Sequence, residues 1–402
     1  MSKHGALALV TLAHGLGSLS VLAVAPLSPF LLEGLSLSRM EAGLFLPAAY
    51  LGGVLMSLPA GWVTERRGVR ATLVGGQTLT GTMVVLASMA PTLPPLLACL
   101  VVAGFGFAVL NPATGKAIVE WFPARERGQA MGIKQTGLTL GGMASAAVLP
   151  PVAVVVGWRG ALGIAGGVAL VSAFVLALFY RDPPARAVAP AGVPSRIADV
   201  GPFLRRPAVL IVFLCGLGLS LVQSGVLAYL VLSTRDTFGL SAVDAARLLA
   251  IAHLGGALGR LGWGAVSDRV FDGRRRPGLT INAVVATVAL GGLALGTTVS
   301  PMLLPLLALV AGVAAFGWVG LYFALVAEIG GARAAGLLTG VAVIFAWGGV
   351  LIGPPLFGLL LHTTDSYRVA WLALAAVAVI VAVTLPRLRP LVQREPVNQR
   401  AA

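Results

Sequence analysis

The sequence predicts an all-α integral membrane protein whose twelve transmembrane helices form two pseudo-symmetric six-helix bundles. Three observations predict this fold. The chain of 402 residues is 58% hydrophobic and only 10% charged, whereas soluble domains carry about 25% charged residues. Apolar runs of about 20 residues, enough to cross a ~30 Å hydrocarbon core as a helix, recur along the whole chain. The first half of the sequence is also repeated in the second half.

We number the apolar runs as spans 1 to 12, in chain order. The predicted spans are 6–32, 42–63, 70–90, 95–120, 129–156, 159–180, 208–232, 243–267, 278–298, 302–328, 334–361 and 367–386. They predict an N-terminal bundle over 1–180 and a C-terminal bundle over 208–386. The segment 181–207, which is rich in proline and charge, is predicted to be a cytoplasmic linker, and 387–402 a cytoplasmic tail.

The formal charge of +14 is explained by membrane topology. Most lysines and arginines lie on the side of the N-terminus, which predicts that both termini are cytoplasmic. The exceptions are Arg39, Arg159, Arg235, Arg247 and Arg368 on the other side, and Lys116, Lys134 and Arg260 within spans. This distribution favours the lipid bilayer, and not nucleic acid, as the partner of the basic residues.

The internal repeat relates spans 2 and 8 most clearly. Residues 37–66 align with residues 240–269, and both copies contain a Leu-Gly-Gly sequence. A second match, which relates spans 4 and 5 to spans 10 and 11, places Glu120 on Glu328 and Arg125 on Arg333. The chain is therefore predicted to consist of two related halves.

The sequence GWVTERRGVR at 61–70 resembles the signature between helices 2 and 3 of the major facilitator superfamily, and Gly264, Asp268 and Arg269 repeat it in degenerate form. The resemblance implies the fold of that superfamily and a secondary transporter, with no enzymatic activity, metal or cofactor. It also implies a cytoplasmic latch, in which the acid and arginines pair with charges on neighbouring helix ends in the outward-facing state and part when the halves rock; ordinary solvated charges are the alternative. The implied latch residues are Gly61, Glu65, Arg66, Gly68, Arg70, Glu120, Arg125, Asp268, Arg269, Glu328 and Arg333.

Arg260 is the most informative residue for function. It precedes Asp268 by eight residues, so a helical rise of 1.5 Å per residue places it roughly 12 Å inside the membrane. Charges at such depth usually face a cavity and mark a transport path. Trp263 could offer the guanidinium a ring face. An arginine paired with backbone carbonyls at a helix break is the alternative.

Further polar residues are predicted to line the same cavity. His253 lies two turns from Arg260 on one helical face, and the repeat places Tyr50 and Ser57 on the opposite wall. Lys134 lies roughly 10 Å deep in span 5, where it could instead snorkel to the surface. Lys116 has Glu120 four residues later, which favours an intrahelical pair. The weaker candidates at mid-span are Gln223, Asn111, His14 and Tyr322.

The acids decide the charge of the expected substrate. None of the fourteen Asp and Glu residues falls deep within a span, so Arg260 and Lys134 make the cavity electropositive and favour a small organic or inorganic anion. The pattern resembles the anion-carrying branches of the superfamily, namely the nitrate, cyanate, oxalate/formate and monocarboxylate transporters, and this resemblance implies a bacterial-type inner membrane. Any coupling proton is expected on a histidine or on the substrate, and the protein is expected to be monomeric.

The alternative within transport is a drug or multi-substrate exporter of the same superfamily. Two features that the resemblance would then imply are missing: an arginine near Leu100 in span 4, and a Gly-Pro pair near Gly141 in span 5. A receptor or sensor on the same fold is a further alternative, which a measurement of flux would distinguish from a carrier. The scattered histidines argue against a membrane-bound enzyme.

Overall fold

The computed structural model describes residues 1–183, 203, 205–298 and 300–388, which form helices joined by short turns, with no strand among them. Most of the predicted linker and nearly all of the predicted tail lie outside the described residues. Spans 1 to 6 correspond to Lys3–Leu22, Phe45–Ser88, Leu93–Ala108, Leu110–Trp121 and Ala124–Phe179, with short helices at Ser28–Gly34 and Arg39–Ala42. Spans 7 to 12 correspond to Pro207–Phe238, Ala242–Arg269, Arg275–Ala294, Leu304–Gly317, Val319–Thr364 and Tyr367–Arg387, with 3-10 turns at Gly296–Thr298 and Pro301–Leu303.

Three of these helices contain a chain reversal at a glycine. The backbone leaves the helical conformation at Gly68 (φ 78°), Gly157 (φ 72°) and Gly331 (φ 56°), a region that disfavours residues with a Cβ. Ala130 and Leu176 lie on either side of Gly157 and yet belong to one hydrophobic core cluster. The chain therefore turns back on itself at Gly157, and one long helix contributes two spans.

These reversals reconcile the helices with the twelve predicted spans. Ten helices in the described part of the chain are long and apolar enough to cross a membrane. One of them, Arg125–Phe179, has 55 residues and would measure about 80 Å if straight, so Gly157 divides it into spans 5 and 6. Residues 69–88, after Gly68, form span 3. The prediction of an all-α membrane protein is confirmed.

The repeat is visible in how the helices pack. In the first half, span 2 contacts span 4 so closely that a Cβ added to Gly52 would lie 1.9 Å from the carbonyl oxygen of Val101. In the second half, a Cβ on Gly255 of span 8 would lie 2.1 Å from the carbonyl oxygen of Leu309 in span 10. The sequence repeat aligns Gly52 with Gly255, so the same glycine permits the same helix contact in each half.

The two halves have separate cores at one end of the molecule and a shared core at the other. We call the end that carries the N-terminus and residues 66–70 and 268–276 the terminal face. There each half has its own core cluster. We call the other end, which carries residues 33–41 and 364–368, the opposite face. Towards it, one hydrophobic cluster contains residues of both halves. The halves are therefore packed together at the opposite face.

Candidate functional site

Arg260 is positioned by the close approach of spans 8 and 10. A Cβ added to Gly259 would lie 2.5 Å from the carbonyl oxygen of Val313, so only glycine permits this contact. The approach brings Arg260 to the point where span 10 breaks at Trp318. There its Nε donates a hydrogen bond of 3.1 Å to the carbonyl oxygen of Phe316. No residue in the described part of the chain accepts a hydrogen bond from its two terminal amino groups, so both keep donors for a ligand.

His253 and Arg260 contact the same residue of span 10. The imidazole of His253 stacks on the ring of Phe316, with centroids 5.0 Å apart and an interplanar angle of 4°. A Cβ on Gly142 of span 5 would lie 2.4 Å from the His253 ring, so the imidazole also packs against the other half. With 5% of its surface exposed, His253 is buried where the halves meet.

Lys134 is the second deep cation. Its ammonium donates a hydrogen bond of 2.7 Å to the Asn111 side-chain oxygen in span 4, and the residue is only 1% exposed. The alternative that Lys134 snorkels to the membrane surface is therefore wrong, because its Nζ is held by a mid-span amide. No carboxylate of the described residues lies within 4 Å of this ammonium. Lys134 is thus a buried cation with a neutral partner.

His14 and Tyr50 lie within the electrostatic field of these cations. The positive charges of Lys134 and Arg260 both interact electrostatically with His14. His14 is buried, and its Nδ1 has no hydrogen-bond partner among the described residues. Arg260 also acts on Tyr50, whose ring meets Trp347 of span 11 edge to face at 6.1 Å. The structure therefore gathers predicted residues from spans 1, 2, 5 and 8 around two cations that belong to different halves.

The other predicted residues form a second group or stay apart. The side-chain oxygen of Gln223 accepts a hydrogen bond of 3.0 Å from the indole of Trp318, and the Tyr322 ring lies 5.3 Å from that indole. The Tyr322 hydroxyl is buried and has no partner among the described residues. Ser57 is exposed, and its hydroxyl bonds to the carbonyl of Val54 in its own helix.

Trp263 does not offer its ring face to Arg260. Its indole instead donates a 3.4 Å hydrogen bond to the carbonyl oxygen of Val313, so the predicted cation-π contact is wrong. The structure adds Phe316, which supplies both a carbonyl acceptor and a stacking ring and which the sequence analysis missed. No signal could have identified it, because any residue carries a backbone carbonyl and the chain contains 15 phenylalanines.

On the terminal face, one cation bridges two acids in each half. The bridges are Glu65–Lys116–Glu120, at 3.0 and 3.8 Å, and Asp268–Arg275–Glu328, at 2.5 and 2.9 Å. The repeat aligns the acids, but their cation comes from span 4 in the first half and from span 9 in the second. Lys116 therefore forms its predicted pair with Glu120 and a second pair with Glu65.

Two further latch residues, Arg66 and Arg70, contact residues of their own half. Arg66 lies over the Trp62 ring at 4.3 Å, and the backbone N–H of Arg70, next to the reversal at Gly68, donates to Asp182 at 3.0 Å. An added Cβ on Gly61 would meet nothing within 4 Å. Arg125 and Arg269 are exposed, and the side chain of Arg333 lies outside the described residues. Within the described ranges, no ion pair joins the halves on this face.

The opposite face carries the ion pairs that do join the halves. Arg39 of the first half contacts Asp236 at 2.8 Å and Asp365 at 3.5 Å in the second half, and Glu33 pairs with Arg235. The sequence analysis placed these arginines on this side but did not predict their partners. The passage between the halves is therefore closed at the opposite face.

Comparison with known proteins identifies the family. The sequence profile of the Major Facilitator Superfamily matches residues 7–351. The chain is 23% identical over 385 residues to the hexuronate transporter of Bacillus subtilis, which covers 91% of this chain and 90% of that protein. It is 26% identical over 349 residues to the membrane sensor protein UhpC of Escherichia coli, which covers 82% and 79% respectively.

A shorter match and a solved structure complete the comparison. The chain is 27% identical over 187 residues to a probable sulfoacetate transporter of Cupriavidus necator, and this match spans 46% of the chain and only 43% of that protein. The crystal structure of a bacterial homologue of the human lysosomal transporter Spinster superposes with a TM-score of 0.79 at 18% identity, and it covers 95% of this chain and 96% of that one. At this identity the superposition shows the fold alone.

Proposed function

Since this chain belongs to the Major Facilitator Superfamily, we propose that it is a secondary transporter of a small organic anion that works by alternating access. The family and the matched relatives are membrane transporters and sensors, not enzymes. In such proteins the halves rock around a site near the middle of the membrane. The substrate class is argued from the residues around Arg260 and Lys134.

The proposal rests on one observation: the buried cation Lys134 and the partly buried cation Arg260, which belong to different halves, have only neutral partners among the described residues. Arg260 bonds to a carbonyl oxygen and Lys134 to an amide oxygen. Burying one such charge costs about 2.5–3.5 kcal/mol on insertion scales, so both are expensive unless an anion supplies the missing negative charge. An anion held between them would contact both halves and so favour one relative position of the halves over another.

The matched relatives agree with an organic anion. The hexuronate transporter and the probable sulfoacetate transporter are named for substrates with a carboxylate or a sulfonate group. A carboxylate or a sulfonate offers two or more neighbouring oxygen acceptors. These match the parallel N–H donors of an arginine guanidinium whose terminal amino groups are free. A drug exporter is less well supported, because every Asp and Glu that the structure describes lies at or near a helix end.

We propose that the terminal face is cytoplasmic and that the protein is a multi-pass protein of the bacterial inner membrane. The basic residues concentrated at 66–70 and 268–276 support this orientation. The conformation described here is then open to the cytoplasm, because the ion pairs between the halves lie at the opposite face. The acids on the terminal face pair within their own halves, and no ion pair of the described residues joins the halves there, which supports this conformation.

The test is a binding screen followed by flux. Purified protein would be screened by thermal shift against organic carboxylates, sulfonates, nitrate and cyanate, with neutral sugars and cationic drugs as controls. The best anion would then be tested for uptake into proteoliposomes, with Arg260→Ala protein as the matched control. Stabilisation by neutral sugars or cations, and not by any anion, would contradict the proposal.

A sensor is the second candidate, because the chain matches UhpC over most of its length. The same cationic site would then bind an anion without moving it across the membrane. Proteoliposome flux separates the two functions. Anion binding at wild-type strength without measurable uptake would identify a sensor, whereas saturable uptake would identify a transporter.

A further inference from the structure

A groove between spans 2, 3 and 4 opens near the terminal face, away from the central residues. Its volume is about 410 Å³, and most of its lining is apolar. Phe105 and Val109 of span 4 form part of the wall, and Gly75 of span 3 leaves room, because an added Cβ there would meet nothing within 4 Å. The groove can therefore hold a hydrocarbon chain.

The rim of the groove is basic. Arg66 and Arg67 line it together with Trp62, and the Arg66 guanidinium lies 4.3 Å from the centre of the Trp62 ring. Trp62 is 57% exposed, as is typical of aromatic residues at the membrane surface. Neither arginine has a carboxylate within 4 Å among the described residues, since the neighbouring Glu65 pairs with Lys116. Two unneutralised cations therefore stand where an apolar groove meets the membrane surface.

We propose that this groove binds one anionic phospholipid of the leaflet on the terminal face, with the phosphate at Arg66 and Arg67 and an acyl chain against Phe105 and Val109. The charge of the rim selects an anionic headgroup, and the apolar interior selects a chain over a soluble phosphate. Clusters of basic residues beside a membrane are attracted to anionic lipids. This site is separate from Arg260 and does not depend on the transported substrate.

The test measures lipid retained by the full-length purified protein. The protein would be incubated in detergent with equal amounts of phosphatidylglycerol and phosphatidylcholine, and bound lipid would be counted by native mass spectrometry. We expect preferential retention of phosphatidylglycerol by the wild type. The double variant R66Q/R67Q should retain about tenfold less of it, because it loses both rim charges.

Matched controls separate the groove from general charge attraction. The double variant R269Q/R274Q removes two exposed arginines from the equivalent loop of the other half and should retain phosphatidylglycerol normally. Gly75→Leu fills the groove and should reduce retention, whereas Gly291→Leu, at another glycine with open space, should not. If Gly75→Leu protein is not monodisperse, two other measurements decide whether the groove binds the lipid: the comparison of the two double arginine variants and a competition with excess glycerol phosphate.

Several results would overturn the proposal. Equal losses in the two arginine variants would show that the lipid is attracted only by surface charge. Unchanged retention in well-folded Gly75→Leu protein would show that no chain enters the groove. Displacement of the lipid by glycerol phosphate would identify a site for a soluble phosphate, and equal retention of the two lipids would exclude selection by charge.

Discussion

Replacing Arg260 tests the proposed function most directly. Arg260→Ala removes the hydrogen bond to the Phe316 carbonyl oxygen, and a hydrogen bond from a charged donor contributes about 1.5–3 kcal/mol. The same change removes a partly buried cation, and placing such a charge in the membrane costs up to about 2.5–3.5 kcal/mol on insertion scales. Because these effects oppose each other and are similar in size, we expect the variant to insert and fold normally.

The effect on binding should be much larger. Losing one partner of a buried charge pair costs about 2–5 kcal/mol, so a loss near 3 kcal/mol would weaken anion binding roughly 100-fold. Arg260→Lys should recover only part of this loss, because an ammonium cannot bond to Phe316 and present a planar fork at the same time. The assay is anion affinity, measured on samples whose monodispersity is checked by size exclusion.

Trp263→Phe provides the control on the same helix. It removes the hydrogen bond to the Val313 carbonyl oxygen, a comparable contact between spans 8 and 10, but no charge, so anion affinity should stay unchanged. A monodisperse Arg260→Ala protein that binds its anion at wild-type strength would refute the reasoning. Misfolding of Arg260→Ala, with normal binding in any protein recovered, would instead show that Arg260 serves only to join span 8 to span 10.

Three further predictions concern conformation and coupling. Glu65→Gln should change the free energy of unfolding by less than about 1 kcal/mol, because the ion pair it breaks is exposed. If the latch assignment holds, the variant should nevertheless show less cysteine labelling on the opposite face. Unchanged labelling and transport would contradict the latch assignment. Arg39→Gln removes both ion pairs of Arg39 with the second half and should increase labelling on that face, whereas Arg247→Gln, whose pair lies within one helix, should not. A variant lacking His14 and His253 should lose proton-driven uptake if a histidine carries the coupling proton, and unchanged uptake of a substrate that is never protonated would exclude this route.

Much of the fold could be read from the sequence because the bilayer imposes strong local rules. Every span must be helical and apolar over about 20 residues, so the number of spans follows from runs of residues along the chain. The repeat could be read as well, because Gly52 and Gly255 are needed for the same close helix contact in both halves. Gly68, which the family signature includes, proved to be the residue that turns the chain back.

The candidate site was only partly predictable. The sequence predicts the depth of Arg260 and Lys134 in the membrane, because a helix rises by a fixed amount per residue. It does not predict their partners, because the Phe316 carbonyl carries no sequence signature and Asn111 reaches Lys134 from a different span. The same limit applied to Trp263, whose spacing allowed a ring contact with Arg260 that the packing of spans 8 and 10 directs elsewhere.

The sequence by itself determined the membrane-spanning class, the two related halves and the excess of positive charge in the interior, because each depends on residue type and on spacing along the chain. Only the tertiary structure decided which charges meet. It paired the latch acids within their own halves and placed the ion pairs between the halves at the opposite face. The physical reason is that such contacts join residues as far apart as Arg39 and Asp365, whose distance depends on the relative position of two rigid bundles and not on any local pattern.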